Sequence, residues 1–285
     1  MLPVRSLSQR RPTSVIDAPS IRDSSSNPIV LFAATRWELA AMRRAMPIDR
    51  RIDVDGVRCF TSRYAGRDYW LVLTGIGPQA AAAAARVVLN EHRAALAISA
   101  GFAGALMPTV AVGDVIVATN IVSWKFDRAW SQTGAAIACE QTVEHAVRAS
   151  ASKVGAVVRS GLVVSLPLVL CRAVEKGTLG RLTGAIAVDM ESAAIGTVAR
   201  SYSVPFGVLR TISDPADEDL PLDFNAFLKP WAWMREIGGM IMTPSSVGGL
   251  IRLRRHSRLA AERLTAICSV CAANGFGLSP LTGTA

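Results

Sequence analysis

From Ile29 onward, short apolar runs alternate with alanine-rich segments of helical spacing. The runs at 29–34 (IVLFAA), 69–75, 95–99, 113–119, 161–165, 184–188 and 204–210 are rich in β-branched residues and bounded by glycine or polar residues, which predicts strands. Helices are predicted over 36–46, 78–92, 141–153, 172–182, 190–202 and much of 226–266. Strands that are apolar on both faces and separated by helices predict an α/β sheet covered on both sides. In such sheets ligands bind at the carboxyl ends of the strands, so the chemistry is sought there. No internal repeat is evident.

Composition refines this picture. The chain has 285 residues, 51% of them hydrophobic, enough to bury a substantial core. Residues 1–27 are rich in Ser and Arg and poor in large apolar side chains, and are predicted to be a disordered basic tail. Asp17 and Asp23 weaken its reading as a transit peptide. The net charge of +9 is concentrated near the other end, where Arg235, Arg252, Arg254, Arg255, Arg258 and Arg263 face only Glu236 and Glu262. No zinc-finger spacing or RNP-like aromatic run accompanies that charge, so nucleic acid is not expected as a partner. Five cysteines without a secretory apolar segment imply a reducing, cytoplasmic setting. Cys268 and Cys271 form a lone CxxC on a predicted helix, read as packing, and neither metal nor cofactor is expected. The uncharged stretch 94–113 is interrupted by Gly101, Gly104 and Pro108, which predicts a strand and tight turn rather than a membrane span.

Four strand ends carry candidate chemistry. After 29–34 comes TRWELAAM, with Glu38 in the first turn of a helix, where an acid also complements the helix dipole. TGIGPQAAAA (74–83) and SAGFAGAL (99–106) bring glycines to strand ends, Gly101 among them, where backbone can approach a ligand. Neither is G-x-G-x-x-G, so a dinucleotide site is not supported. AVDMESAA (187–194) opens a helix with Asp189 and Glu191 flanking Met190; capping accounts for Asp189 and less completely for Glu191. A carboxylate such as Glu191 can accept hydrogen bonds from both hydroxyls of a ribose. TISDPADED (211–219) places Ser213 and Asp214 after a buried strand, readable as turn chemistry or as an acid aimed at a substrate.

GIGPQAAAAAARVVL, SAGFAGALMPTVAVGDVIV, GAIAVDMESAAIGTVARSYSVPFGVLRTISD and LDFNAFL together resemble the purine nucleoside phosphorylase/hydrolase superfamily, and within it the 5′-methylthioadenosine/S-adenosylhomocysteine nucleosidases. The resemblance spans roughly 29–229. It implies a three-layer α/β/α sandwich around a mixed, partly barrelled sheet over 28–229, a homo-oligomer with a dimer favoured, and a purine nucleoside as ligand. It implies Asp214 as the acid at purine N7, Glu38 as the carboxylate that activates water, Glu191 as the grip on the ribose hydroxyls, and Met190 beneath the sugar. It puts Phe224 beside the 5′-substituent. With Phe102, Gly101, Val169 and Ser213 these form the predicted binding set. Breaking an N-glycosidic bond makes the ribose oxocarbenium-like and the base negative, so an acid at the base and a carboxylate near the sugar lower the barrier from both sides. An apolar strand-end setting would help Asp214 keep its proton.

Departures from the pattern shape the functional expectation. Phosphorolytic members hold phosphate with an Arg and a Ser at positions that read Ser99 and Phe102 here, which favours water as nucleophile; Arg36 is the remaining candidate for an anion site. Phe102, Val169 and Thr35 differ from the usual Ser, Phe and Met around adenine and the 5′-pocket. Futalosine hydrolases tend to have Asn where Asp214 stands, so Asp214 favours a purine nucleoside. Beyond the resemblance, 230–285 is a C-terminal extension with Trp231, Trp233 and a basic helix, readable as a packing helix or as peripheral membrane contact. It also resembles the hopanoid-associated nucleoside phosphorylases, thought to remove adenine from adenosylhopane. Hydrolysis is the expected activity. Phosphorolysis, a non-catalytic nucleoside-binding module and a tail-driven basic protein are the alternatives.

Overall fold

A computed structural model describes residues 27–222, 224–227 and 244–279. Strand β1 (Ile29–Ala33) is wholly buried, and two residues beyond it Thr35 opens α1 (Arg36–Ala45) through a capping box with Glu38. A hairpin follows, β2 (Arg50–Val54) and β3 (Val57–Tyr64), turning on Asp55 and Gly56, both at positive φ as a two-residue turn requires. Then come β4 (Arg67–Leu73), α2 (Pro78–Glu91), β5 (Leu96–Ala105), β6 (Val115–Asp127), the short β7 (Ala129–Gln132) and β8 (Ile137–Ala138), and α3 (Gln141–Val154). The remaining elements are β9 (Val158–Ser165), α4 (Ala173–Thr183), β10 (Ala187–Asp189), α5 (Ser192–Ser201), β11 (Phe206–Asp214), α6 (Phe224–Phe227) and the long α7 (Pro244–Ala273).

Among the described residues the strands form one mixed sheet in the order β10-β9-β6-β11-β5-β1-β4-β3-β2. An additional antiparallel pairing of β10 with β5, Ala187 opposite Ala105, closes five of them into a barrel. β5 therefore serves both parts. Its first residues pair with β1, its last with β10, and β11 runs parallel to it throughout. Side chains of β1 alternate between two cores. Val30 and Phe32 pack with Ala81, Ala85 and Val88 of α2 and Ile195 and Val198 of α5, whereas Ile29 and Leu31 pack with Leu39 and Met42 of α1, Val143 of α3 and Leu264 and Ile267 of α7. Helices thus cover both faces, and the three-layer sandwich with a partly barrelled sheet is the architecture observed.

Several boundaries differ from the sequence reading. The β2–β3 hairpin was not anticipated, because its alternating charged and apolar residues lack the continuous apolar character of the other strands. β11 runs on through Asp214, so TISD is the end of a strand and not a turn. The apolar stripe of α7, including Cys268 and Cys271, is buried against α1, α3 and β11, and burial pushes both thiols up. Tyr69 Oη donates to Ala272 O (2.6 Å) and Thr211 Oγ1 to Ala260 O (3.0 Å), tying this helix to the sheet. Arg252, Arg254, Arg255 and Arg258 occupy its exposed face. Trp231, Trp233 and the N-terminal tail to residue 26 lie outside the described residues. No helix among the described residues is long and apolar enough to cross a membrane.

Candidate active site

The carboxyl ends of β1, β5, β10 and β11 converge on an open cleft of about 230 Å³. Glu38, Phe102, Val169, Met190, Glu191, Ser213 and Asp214 line it, joined by Thr35, Ile76 and Leu168. Gly101 is not among the residues lining it. Phe224 begins α6 and is not among the residues lining the cleft. Its neighbour Asn225 holds the Val169 loop instead, accepting from Val169 N (2.8 Å) and donating to Val169 O (2.9 Å).

Glu38 combines both readings of its position. Its Oε2 accepts from Thr35 N (2.7 Å) and Thr35 Oγ1 (2.9 Å), while its own amide donates to Thr35 Oγ1 (3.2 Å), the reciprocal capping box. Its Oε1 accepts from Phe102 N (2.8 Å) and faces the cleft. The glycines of SAGFAGAL serve this arrangement through absent side chains. A Cβ at Gly101 would collide with Glu38 and Arg210, and one at Gly104 with Asp214. The space left by their missing side chains admits the carboxylates of the site, and Gly104 lines the cleft itself.

Under the floor lies Arg210, a residue the sequence reading passed over although it is charged within an apolar strand. It is 1% exposed. Its Nε donates to Asp189 Oδ2 (2.9 Å), one terminal nitrogen to Ser99 Oγ (2.6 Å) and Ser192 Oγ (2.8 Å), and the other stands 3.8 Å from Glu38 Oε1. Asp189 also accepts from Ser192 N (3.3 Å) and from Ser165 Oγ, so it caps α5 and pairs with Arg210 at once. Glu191 accepts from Gly77 N (2.8 Å), which gives GIG its role at this site.

Burial pushes the Glu191 carboxyl up to about 7; Arg210 opposes the rise, Asp189 and Glu38 add to it, and the Gly77 amide opposes it. The folded value exceeds the ordinary 4.5, so the folded protein binds the extra proton between the two. The corresponding stability is complete below pH 4.5 and is lost as pH rises through about 7, on the order of 3 kcal/mol in all. Glu191→Gln carries no such proton. Chemical denaturation at about pH 5 and about pH 8 should show the variant gaining on the wild type by that order between them.

Asp214 does not stand in the apolar setting anticipated for it. The fully buried Lys176 of α4 donates from Nζ to Asp214 Oδ2 (2.6 Å), and Ser213 Oγ donates to Asp214 Oδ1 (3.0 Å). A bulge in the β11–β5 ladder between Ile212 and Asp214 turns both residues toward the cleft. Lys176 was invisible in the sequence, since one Lys on a helix is normally solvated. Arg36 is exposed and does not line the cleft.

Residues 28–233 match the family described as "Phosphorylase superfamily". The chain is 27% identical over 210 residues to the 5′-methylthioadenosine/S-adenosylhomocysteine nucleosidase of Shewanella sp. (strain W3-18-1), covering 70% of this chain and 91% of that one. Its fold is similar to that of the 5′-methylthioadenosine/S-adenosylhomocysteine nucleosidase from Neisseria meningitidis in complex with methylthio-immucillin-A (TM-score 0.65, 23% identity, 85% of this chain and 99% of that chain). It is likewise similar to futalosine hydrolase of Helicobacter pylori strain 26695 (TM-score 0.65, 19% identity, 85% and 97%).

Proposed function

The chain belongs to the phosphorylase superfamily of enzymes, and from this premise we propose that it hydrolyses the N-glycosidic bond of a 5′-modified purine nucleoside, releasing adenine. The observation that carries the choice of water over phosphate is the position of Glu38. Its carboxylate, held on the Phe102 amide, lines the cleft, and the one cation beside it among the described residues, Arg210, is committed to Asp189, Ser99 and Ser192. A phosphate dianion there would meet a carboxylate with no free cation among the described residues to offset it.

In this reading Glu191 accepts from the ribose 2′- and 3′-hydroxyls, Met190 packs under the sugar, and Phe102, Val169 and Ser213 border the base. Glu38 takes a proton from the water that attacks C1′. Asp214 delivers a proton to purine N7, so the base leaves neutral. The names of the similar nucleosidases support a 5′-thio-substituted adenosine as the substrate class. Phosphorolysis, including adenine removal from adenosylhopane, is the second reading, and it requires phosphate. The exposed Trp37, next to Glu38 in the chain, supports a homodimer, and the arginine face of α7 supports peripheral contact with an anionic membrane.

Adenine release measured over a range of phosphate concentrations tests the assignment. The rate should be independent of phosphate. Glu38→Gln keeps one acceptor, enough for Thr35 or for Phe102, and cannot take a proton; it should lower kcat by about 10²-fold or more, read at a temperature below its melting point. Strict phosphate dependence would overturn the hydrolytic reading. Nucleoside binding without any base release would establish a binding module.

A further inference from the structure

The buried pair of Lys176 and Asp214 raises a problem that hydrolysis alone does not solve. Lys176 has no exposed surface, and its Nζ donates to Asp214 Oδ2 (2.6 Å), Pro215 O (2.8 Å) and Glu218 O (3.3 Å). Three acceptors match the three hydrogens of an ammonium, so the pocket is built for the charged amine. In such a pair the proton resides on nitrogen and the carboxylate is acceptor-only. Departure of adenine nevertheless needs a proton at N7. Ser213 also donates to Asp214, but a serine hydroxyl does not give up its proton near neutral pH. Lys176 is the group in contact with Asp214 that can. It does not line the cleft, and therefore acts through Asp214.

Resting on the reading of Asp214 as the group at the base, we propose that Lys176 is a positioning residue that holds Asp214 and supplies the proton Asp214 delivers to N7. As the C1′–N9 bond breaks, its electron pair passes into the purine and N7 takes a proton from Asp214. Asp214 takes one from Lys176 Nζ, which becomes a neutral amine. Water adds to C1′ and gives its proton to Glu38. Exchange with solvent then returns one proton to Lys176 and removes one from Glu38, so the net reaction consumes only nucleoside and water.

Among the described residues, Glu218, Asp219, Arg252 and His256 border the small cavity that Asp214 also lines; Glu218 pairs with Arg252 (3.5 Å) and Asp219 with Arg172 (3.2 Å). His256 is the one whose ordinary titration lies near neutrality, so His256→Gln is the control for any pH profile.

The test compares wild type, Lys176→Met, Lys176→Arg and Asp214→Asn on two probes, 5′-methylthioadenosine and p-nitrophenyl riboside, whose phenolate departs without protonation. On the first, Lys176→Met should lower kcat about 100-fold or more near neutrality, with KM within about threefold, and recover activity toward acid pH, where solvent can supply the proton that Lys176 no longer does. Lys176→Arg keeps the charge but cannot release a proton, so it should remain slow when assayed below its melting point, which overpacking of the buried pocket lowers. It carries the test if Lys176→Met fails to fold. On p-nitrophenyl riboside both Lys176 variants should match the wild type within about threefold. A fully active Lys176→Arg or Lys176→Met, or equal losses on both probes, overturns the proposal. Wild-type adenine release by Asp214→Asn would overturn the reading beneath it instead.

Discussion

Asp214→Asn is expected to lower kcat for adenine release by about 10²–10⁴-fold, the range typical of a lost acid–base group. Asparagine has the same shape, and its carbonyl oxygen can still accept from Lys176 or Ser213. It cannot hand a proton to N7. The substitution also leaves the Lys176 ammonium buried opposite a neutral partner, where removal of one member of a buried pair costs about 3–5 kcal/mol. Thermal melting should therefore fall together with kcat. Calorimetric binding of a nucleoside at a temperature below the variant's melting point separates the two effects. Binding retained with turnover lost is the expected result, whereas turnover within about tenfold of wild type would remove Asp214 from the chemistry.

Arg210→Met should cost about 3–5 kcal/mol in urea denaturation, a large part of the total of about 5–15 kcal/mol that holds a domain folded. Methionine fills much of the volume but removes the cation shared by Asp189, Glu38 and Glu191. Those carboxylates keep the Arg210 guanidinium charged against the opposing effect of burial, and without it they repel one another in a buried site. Arg210→Lys should rescue little, because one ammonium cannot reach Asp189, Ser99 and Ser192 as a planar fork does. The deficit should shrink as pH falls through about 7, where Glu191 takes up a proton and part of that repulsion is relieved. Equal deficits at acid and neutral pH would mean that packing, not charge, is what Arg210 contributes.

The alternation of apolar runs and alanine-rich segments was enough to find β1, β4, β5, β6, β9, β10, β11 and the helices between them, because strands buried on both faces carry a continuous signal. The β2–β3 hairpin carries a half-buried pattern instead, and the closing pairing of β10 with β5 leaves no mark in either segment alone. Glu38, Glu191, Met190 and Asp214 were legible since they sit at strand ends, where an α/β sheet collects its ligand contacts. Arg210, Lys176 and Asn225 were not. What each does is decided by partners distant in the chain, Asp189 for Arg210, Asp214 for Lys176 and Val169 for Asn225, and no local spacing encodes such pairings.

The closure of the barrel by β10 on β5 also orders how the protein is made. Ala105 leaves the ribosome 82 residues before its partner Ala187, and β11, the strand beside β5 that brings Arg210 and Asp214, comes later still. Until then the nascent chain carries the carboxylate of Glu38 without its buried counter-ion, and β5 presents an unpaired edge along Ala97–Gly104. Such an edge is a template for pairing with other chains. A chain halted before residue 206 thus holds half of the constellation and an adhesive strand, so premature termination yields a species that sticks to its neighbours rather than a smaller working enzyme.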